Sequence, residues 1–83
     1  MTNETITTRD LDAASYAAAA TGTFPTLQSD FDHQARFIFP GTPEVIKALQ
    51  NFMSGGATID ATLLLAARRR LFVAVRELRN GGA

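Results

Sequence analysis

The sequence predicts a small α+β domain in which helices accompany a two-stranded antiparallel hairpin. Two observations predict this class. Apolar residues recur at helical spacing in three segments, and between Phe24 and Phe39 they alternate with polar residues, as in strands. The predicted order is helix, hairpin, helix, a short extended link and a long C-terminal helix. At 83 residues, the whole chain (1–83) is expected to be a single domain.

Composition narrows the class further. Hydrophobic residues make up 46% of the chain and charged residues 19%, which is typical of a folded globular protein. The absence of cysteine excludes disulfides and thiolate metal sites. The first residues lack a basic region followed by an apolar stretch, and no apolar run is long enough to span a membrane. We therefore expect a cytoplasmic protein without a membrane segment.

The first helix is predicted to follow about five loose residues. Thr7 or Thr8 is the expected N-cap, and Asp10 and Asp12 would lie near the positive end of the helix dipole. Six alanines favour the helix, and Gly22 is predicted to end it. Such a helix presents small side chains, against which a neighbouring element can pack closely.

A hairpin is predicted from residues 25–31 and 35–40, where apolar and polar side chains alternate. The turn between them holds His33, and Pro40 with Gly41 ends the second strand. The predicted core face consists of Leu27, Phe31, Phe37 and Phe39.

The second helix carries the clearest boundary signals. Thr42 is the predicted N-cap, Pro43 occupies the first helical position, and Gly55 follows the end. Its predicted apolar side consists of Val45, Ile46, Leu49, Phe52 and Met53. Whether residues 57–59 join the hairpin as a third strand is left open by the sequence.

The last helix is predicted to begin after an N-cap at Asp60 and to run to about Leu78, with residues 80–83 as a tail. At 100° per residue, its predicted core face consists of Leu63, Leu64, Ala67, Leu71, Ala74, Val75 and Leu78. Arg70 lies at the edge of this face, where we expect an ion pair with Asp10 or Asp12. Leu65 and Phe72 fall on the opposite side, surrounded by Arg68, Arg69, Arg76 and Arg79.

Charge is distributed unevenly, although the formal net charge is zero. Residues 61–83 hold five arginines and one acid, whereas residues 1–60 hold three basic and seven acidic residues. Three explanations of the arginine-rich side compete. In the first, the arginines solvate the helix while the first helix covers Leu65 and Phe72. In the second, Leu65 and Phe72 mediate self-association, and the arginines pair with acids of another copy. In the third, the arginines bind nucleic-acid phosphates.

The chain resembles a family of short bacterial and phage proteins catalogued as a domain of unknown function. The resemblance covers about residues 7–78 and rests on the Thr-Arg-Asp-Leu start at residues 8–11, on Phe37 and Phe39 of the F-x-F strand, on Phe52, and on Ile59 with Asp60 before the basic last helix. Alanines at 17–20 depart from the bulkier residues of that family. The resemblance implies an α+β fold and a bacterial, phage or mobile-element source, and it implies no activity or site residues.

Chemistry-bearing constellations are sparse. The one histidine, His33, follows Asp32 in the predicted turn, and no second cluster completes a metal site. Asp10 and Asp12 are two residues apart on a helix, so their carboxylates point in different directions. We therefore predict neither catalytic nor metal-binding residues, and no cofactor.

The predicted function is that of a non-enzymatic interaction protein that forms a homo-oligomer. A chain this small buries only about 60% of the surface that its unfolded form exposes, so association would add needed stability. The candidate surface consists of Leu65, Phe72, Arg68, Arg69, Arg76 and Arg79. A host protein is a further candidate partner, and nucleic acid is the alternative, which the sequence pI near 6.5 disfavours.

Overall fold

The structure is a computed structural model that describes residues 4–29, 34–56 and 58–81. The elements are, in chain order, β1 (Thr5–Thr8), α1 (Leu11–Thr21), β2 (Thr26–Ser29), β3 (Ala35–Pro40), α2 (Pro43–Ser54) and α3 (Ala61–Gly81). The α+β class is confirmed. The predicted two-stranded hairpin is incomplete, because the described part of the chain forms a three-stranded sheet.

The sheet has the strand order β1-β3-β2, with both outer strands antiparallel to β3. The predicted hairpin corresponds to β2 and β3, which place Leu27 opposite Phe37. The third strand comes from the N-terminal side of the chain rather than from residues 57–59. Thr58 and Ile59 belong to no strand, and Ala57 lies outside the described residues.

Strand β1 replaces a segment that was expected to be partly loose and partly the start of a helix. Its sequence Thr-Ile-Thr-Thr consists of β-branched residues, which fit a pleated sheet. Ile6 stands opposite Phe39 and packs against the core, so pairing with β3 gives this segment an apolar contact. Thr5, expected to be loose, is therefore the first residue of a strand.

A close backbone contact fixes the start of β1 to the end of β3. The Gly41 N–H donates to the Glu4 carbonyl oxygen at 2.8 Å. A Cβ at Gly41 would stand 3.0 Å from that oxygen, which is tighter than nine in ten Cβ contacts, so the Glu4 backbone would have to shift by a few tenths of an ångström. This close approach favours glycine here, in addition to its predicted role in ending the strand.

The hydrogen bond between Gly41 and Glu4 also sets the ladder pattern of β1 and β3. Hydrogen-bonded and non-hydrogen-bonded pairs alternate in antiparallel sheets. Since Glu4 pairs with Gly41 by a hydrogen bond, the register makes Ile6–Phe39 and Thr8–Phe37 the next hydrogen-bonded pairs. Thr5 stands opposite Pro40 in a non-hydrogen-bonded pair, so the missing N–H of proline removes no bond to β1.

Helix α1 is the central element of the fold. It packs against α2, α3 and β1, and every residue from Ala13 to Ala18 is buried. Small side chains are needed because neighbours approach this helix from several sides. Ser15, the buried polar residue of this helix, donates its Oγ–H to the Leu11 carbonyl oxygen at 2.6 Å.

The core joins α1 to the sheet and to α2. Phe37 and Phe39 are almost fully buried, as the hairpin prediction required. The rings of Tyr16 and Phe52 lie with centroids 6.0 Å apart, which places an aromatic contact between α1 and α2. Met53 was predicted on the apolar side of α2, but it is 83% exposed because it lies in the last turn.

The N-cap of α1 is Asp10, not Thr7 or Thr8. Asp10 Oδ1 accepts from the backbone N–H groups of Asp12 and Ala13, at 2.9 and 3.3 Å. Thr8 lies two residues earlier, at the end of β1, and its Oγ1 accepts from the Asp10 N–H at 3.1 Å. The Asp10 carboxylate caps the helix because Thr7 and Thr8 belong to β1 and pair with β3.

The boundaries of the other helices are mainly as predicted. Thr42 Oγ1 accepts from the Val45 N–H at 3.3 Å, and Gly55 ends α2 with a φ of 80°. Asp60 Oδ1 accepts from the Thr62 N–H at 2.7 Å before the first turn of α3. That helix continues through Gly81, so the start of the predicted tail at residues 80–83 is helical.

Two predicted positions, Phe31 on the core face and His33 in the turn, lie outside the described residues. The described helices include none that is both long and apolar enough to cross a bilayer. The molecule measures 38 × 35 × 19 Å, as expected for one layer of helices on one sheet.

Candidate interaction surface on the last helix

One side of α3 builds the core. Ala67 and Leu71 are buried, and the partly buried residues beside them are Leu64, Ala74, Val75 and Leu78. These residues belong to the predicted core face. Leu63 was also predicted there, but it is exposed because it lies in the first turn, at the border of the buried arc.

The opposite side of α3 exposes large apolar residues. Leu65 is 64% exposed and Phe72 is 49% exposed, so α1 does not cover them. The explanation in which α1 shields both side chains is therefore wrong. Val73 is also exposed, and the sequence prediction assigned it to neither side of the helix.

The predicted partner of one arginine is wrong. Arg68, rather than Arg70, forms the ion pair with α1, with Nε 3.0 Å from Asp12 Oδ1. Arg70 instead stacks on Phe24, with its guanidinium carbon 4.0 Å from the ring centroid. Asp10, the other predicted partner, caps α1 through Oδ1.

The ion pair between Arg68 and Asp12 links α3 to α1 at the surface. Both side chains are at least half exposed. An exposed pair of this kind contributes about 0–1 kcal/mol, because water and salt screen the charges. Arg68 therefore lies at the border of the exposed side of α3, where it is engaged within the chain.

Three further arginines stay exposed on this side. Within residues 4–29, 34–56 and 58–81, Arg69, Arg76 and Arg79 form no ion pair. Arg69 and Arg76 are seven residues apart, and so are Leu65 and Phe72, so basic and apolar side chains alternate along the helix. We define the outer surface of α3 as the set Leu65, Arg69, Phe72, Val73, Arg76 and Arg79.

A shallow groove adjoins the outer surface. Phe72 lines it together with Leu11, Phe37 and Val75, and Arg9 and Arg79 provide the cationic groups of its wall. Arg9 already has an interaction within the chain. The groove therefore extends the apolar contact area around Phe72 toward the sheet.

Two acidic residues near this surface have structural roles. Asp10 caps α1, and Asp12 pairs with Arg68. No group of three or more histidine or acidic residues is placed to hold a metal ion in the described ranges. The predicted surface residues Leu65, Phe72, Arg69, Arg76 and Arg79 thus share one exposed side, whereas Arg68 stands at its border.

Comparison of the chain with family models, with curated proteins and with solved structures finds no match. The resemblance to the bacterial and phage family of unknown function stays a prediction. The function of the chain is therefore inferred from its own surface.

Proposed function

We propose that the chain is a small non-enzymatic interaction protein that forms a homo-oligomer and binds a protein partner through the outer surface of α3. The observation that carries this proposal is the exposure of Leu65, Phe72 and Val73 on a helix whose other side builds the core. Scattered exposed apolar residues are common, but three large ones on one side of a single helix, interspersed with arginines, form a candidate binding surface.

The apolar part of the surface supplies binding free energy. Complete burial of a large apolar side chain is worth about 1.5–3 kcal/mol. Leu65 and Phe72 are roughly half exposed or more, so a partner that covers them gains about half to two thirds of that amount for each. Phe72 is the expected centre of the contact because aromatic anchors dominate interface energetics.

The charged part of the surface favours an acidic partner. Arg69, Arg76 and Arg79 are available for carboxylates, and guanidinium groups pair with carboxylates in bidentate geometry. Glu77 is the sole acid of α3. Twofold pairing of this helix with itself would bring the arginines of two copies together, so acids for the contact must come from another region of a second copy or from a host protein.

Nucleic acid is the second candidate ligand. The exposed arginines around Phe72 fit phosphates with a stacking aromatic nearby. The formal net charge of zero opposes this candidate, because acids elsewhere on the chain repel a polyanion.

Capture from a bacterial lysate tests the proposal. The baits are the wild-type chain, the variant Leu65→Ser/Phe72→Ser, and Met53→Ser as a control that removes an exposed apolar residue on α2. We expect a protein that the wild type and Met53→Ser retain and that Leu65→Ser/Phe72→Ser loses.

Nuclease treatment of the same lysate separates the two candidates. A protein partner of the outer surface survives the treatment, whereas a protein held through nucleic acid does not. The proposal fails if the three baits retain the same proteins, or if all differences between them vanish after nuclease treatment.

A further inference from the structure

We infer that the free edge of β1 pairs with β1 of a second copy and joins the two sheets into one antiparallel sheet of six strands. This inference names the interface of the proposed homo-oligomer and rests on that part of the proposed function. It leaves the outer surface of α3 free for another partner.

The backbone of β1 presents unused hydrogen-bonding groups on the side away from β3. Ile6 and Thr8 direct their N–H and C=O groups to β3, as the bond between Gly41 and Glu4 and the register require. The same groups of Thr5 and Thr7 therefore point outward. β1 is the first strand in the sheet order, so no described strand accepts them.

The edge is complementary to itself. Adjacent antiparallel strands of two identical copies are related by a twofold axis perpendicular to the sheet, which keeps equivalent faces on the same side. An axis at Ile6 pairs Thr5 with Thr7 of the partner subunit and Ile6 with Ile6 of the partner subunit. The outward groups of Thr5 and Thr7 then bond across the axis.

Side-chain contacts support this register. Ile6 lies on the helix-bearing face and is only partly buried, so pairing at the axis covers its remaining surface. Ile6 would occupy a non-hydrogen-bonded pair, in which opposite side chains approach most closely. Thr5 and Thr7 are exposed on the other face, where threonine pairs are favourable.

The edge also lacks the usual protection against pairing. Sheet edges are commonly blocked by lysine, proline or a bulge, and Thr5–Thr8 has no lysine or proline and pairs with β3 in an uninterrupted register. The other edge strand, β2, packs against α3. Because β1 likewise contacts a helix, α1, its edge is favoured for a second copy by its self-complementary register and not by a difference in helix contact.

The substitution Thr7→Pro tests the inference. Proline at residue 7 removes an N–H that points away from β3, so the bonds between β1 and β3 remain. Two cross-axis hydrogen bonds are lost per dimer, and we expect self-association to weaken roughly tenfold to a hundredfold. Sedimentation equilibrium over a range of micromolar concentrations measures this change.

A second variant tests the same interface without the backbone effect of proline. Thr5→Lys/Thr7→Lys places like charges opposite each other across the axis, and Thr26→Lys/Gln28→Lys places the same charges on the exposed face of β2. We expect the first pair to dissociate the dimer, with partial recovery at high salt, and the second pair to leave it intact.

Amide hydrogen exchange locates the interface independently. The Thr7 amide should exchange more slowly as protein concentration rises, whereas the Ile6 amide, which is bonded to Phe39, should be protected at all concentrations. A monomeric wild type at high micromolar concentration overturns the inference. So does an oligomer that survives both β1 variants but dissociates in Leu65→Ser/Phe72→Ser, a result that would assign self-association to the outer surface of α3. The lysate capture is a separate test, because it measures how the outer surface of α3 binds a partner and does not depend on which of these two results is found.

Discussion

Replacement of two adjacent residues of α3 by alanine separates the core side from the outer surface. Leu71 is 2% exposed, so Leu71→Ala removes a buried side chain and leaves a cavity, at a cost of about 2–5 kcal/mol in unfolding free energy. Phe72 is 49% exposed. Its truncation loses roughly half of a transfer free energy of up to about 3 kcal/mol, and leaves no enclosed cavity, so we expect about 1–1.5 kcal/mol.

Urea unfolding followed by far-UV circular dichroism measures both costs. A chain of this length has a total stability of about 4–12 kcal/mol, so Leu71→Ala is expected to remove a large part of it. Measurements at low protein concentration isolate the single chain, because association stabilises the folded state by mass action. Equal costs for the two variants at low concentration would refute the reasoning, since Phe72 would then be buried within the chain.

Three further substitutions test the fold. Gly41→Ala should destabilise the chain by about 1–2 kcal/mol in urea unfolding, because its Cβ would meet the Glu4 carbonyl oxygen, and an unchanged midpoint would contradict this contact. Asp10→Ala should cost about 1 kcal/mol and Asp10→Asn much less, since asparagine also caps helices; equal losses would exclude capping as the cause. Ala17→Leu should cost at least about 1–3 kcal/mol by overpacking α1, and a wild-type melting temperature would show unfilled space beside it.

Boundary residues made much of the fold predictable. Thr42, Pro43 and Gly55 mark the ends of α2 because each suits the backbone conformation at its own position. These preferences depend on neighbouring residues alone, so the sequence shows them. The alternation around Phe37 and Phe39 likewise predicted β3 and its buried face.

Strand β1 could not be predicted from local signals. Its four residues end two positions before the N-cap Asp10, and threonines at that distance from a helix resemble capping residues themselves. The strand forms because β3 provides hydrogen-bonding partners for its backbone and because Ile6 packs against the core beside Phe39. Both are tertiary contacts, which the spacing of residues along the sequence does not predict.

The candidate surface was predictable in its outline and not in its partners. Helical geometry placed Leu65 and Phe72 opposite the core face, where they are exposed. The same geometry could not decide which arginine reaches Asp12, because that depends on the crossing of α1 and α3. Arg68 lies nearer to Asp12, and Arg70 meets Phe24 instead.

Hydroxyl-radical footprinting of Phe72 tests most directly whether the outer surface of α3 is a binding surface. In the isolated chain at low concentration, we predict strong modification of Phe72 and Met53 and little modification of Leu71. In the complex captured from lysate, Phe72 should become protected while Met53 stays reactive. Protection of Phe72 in the isolated dilute chain, or equal modification of Phe72 with and without the captured partner, would contradict the proposed role of this surface.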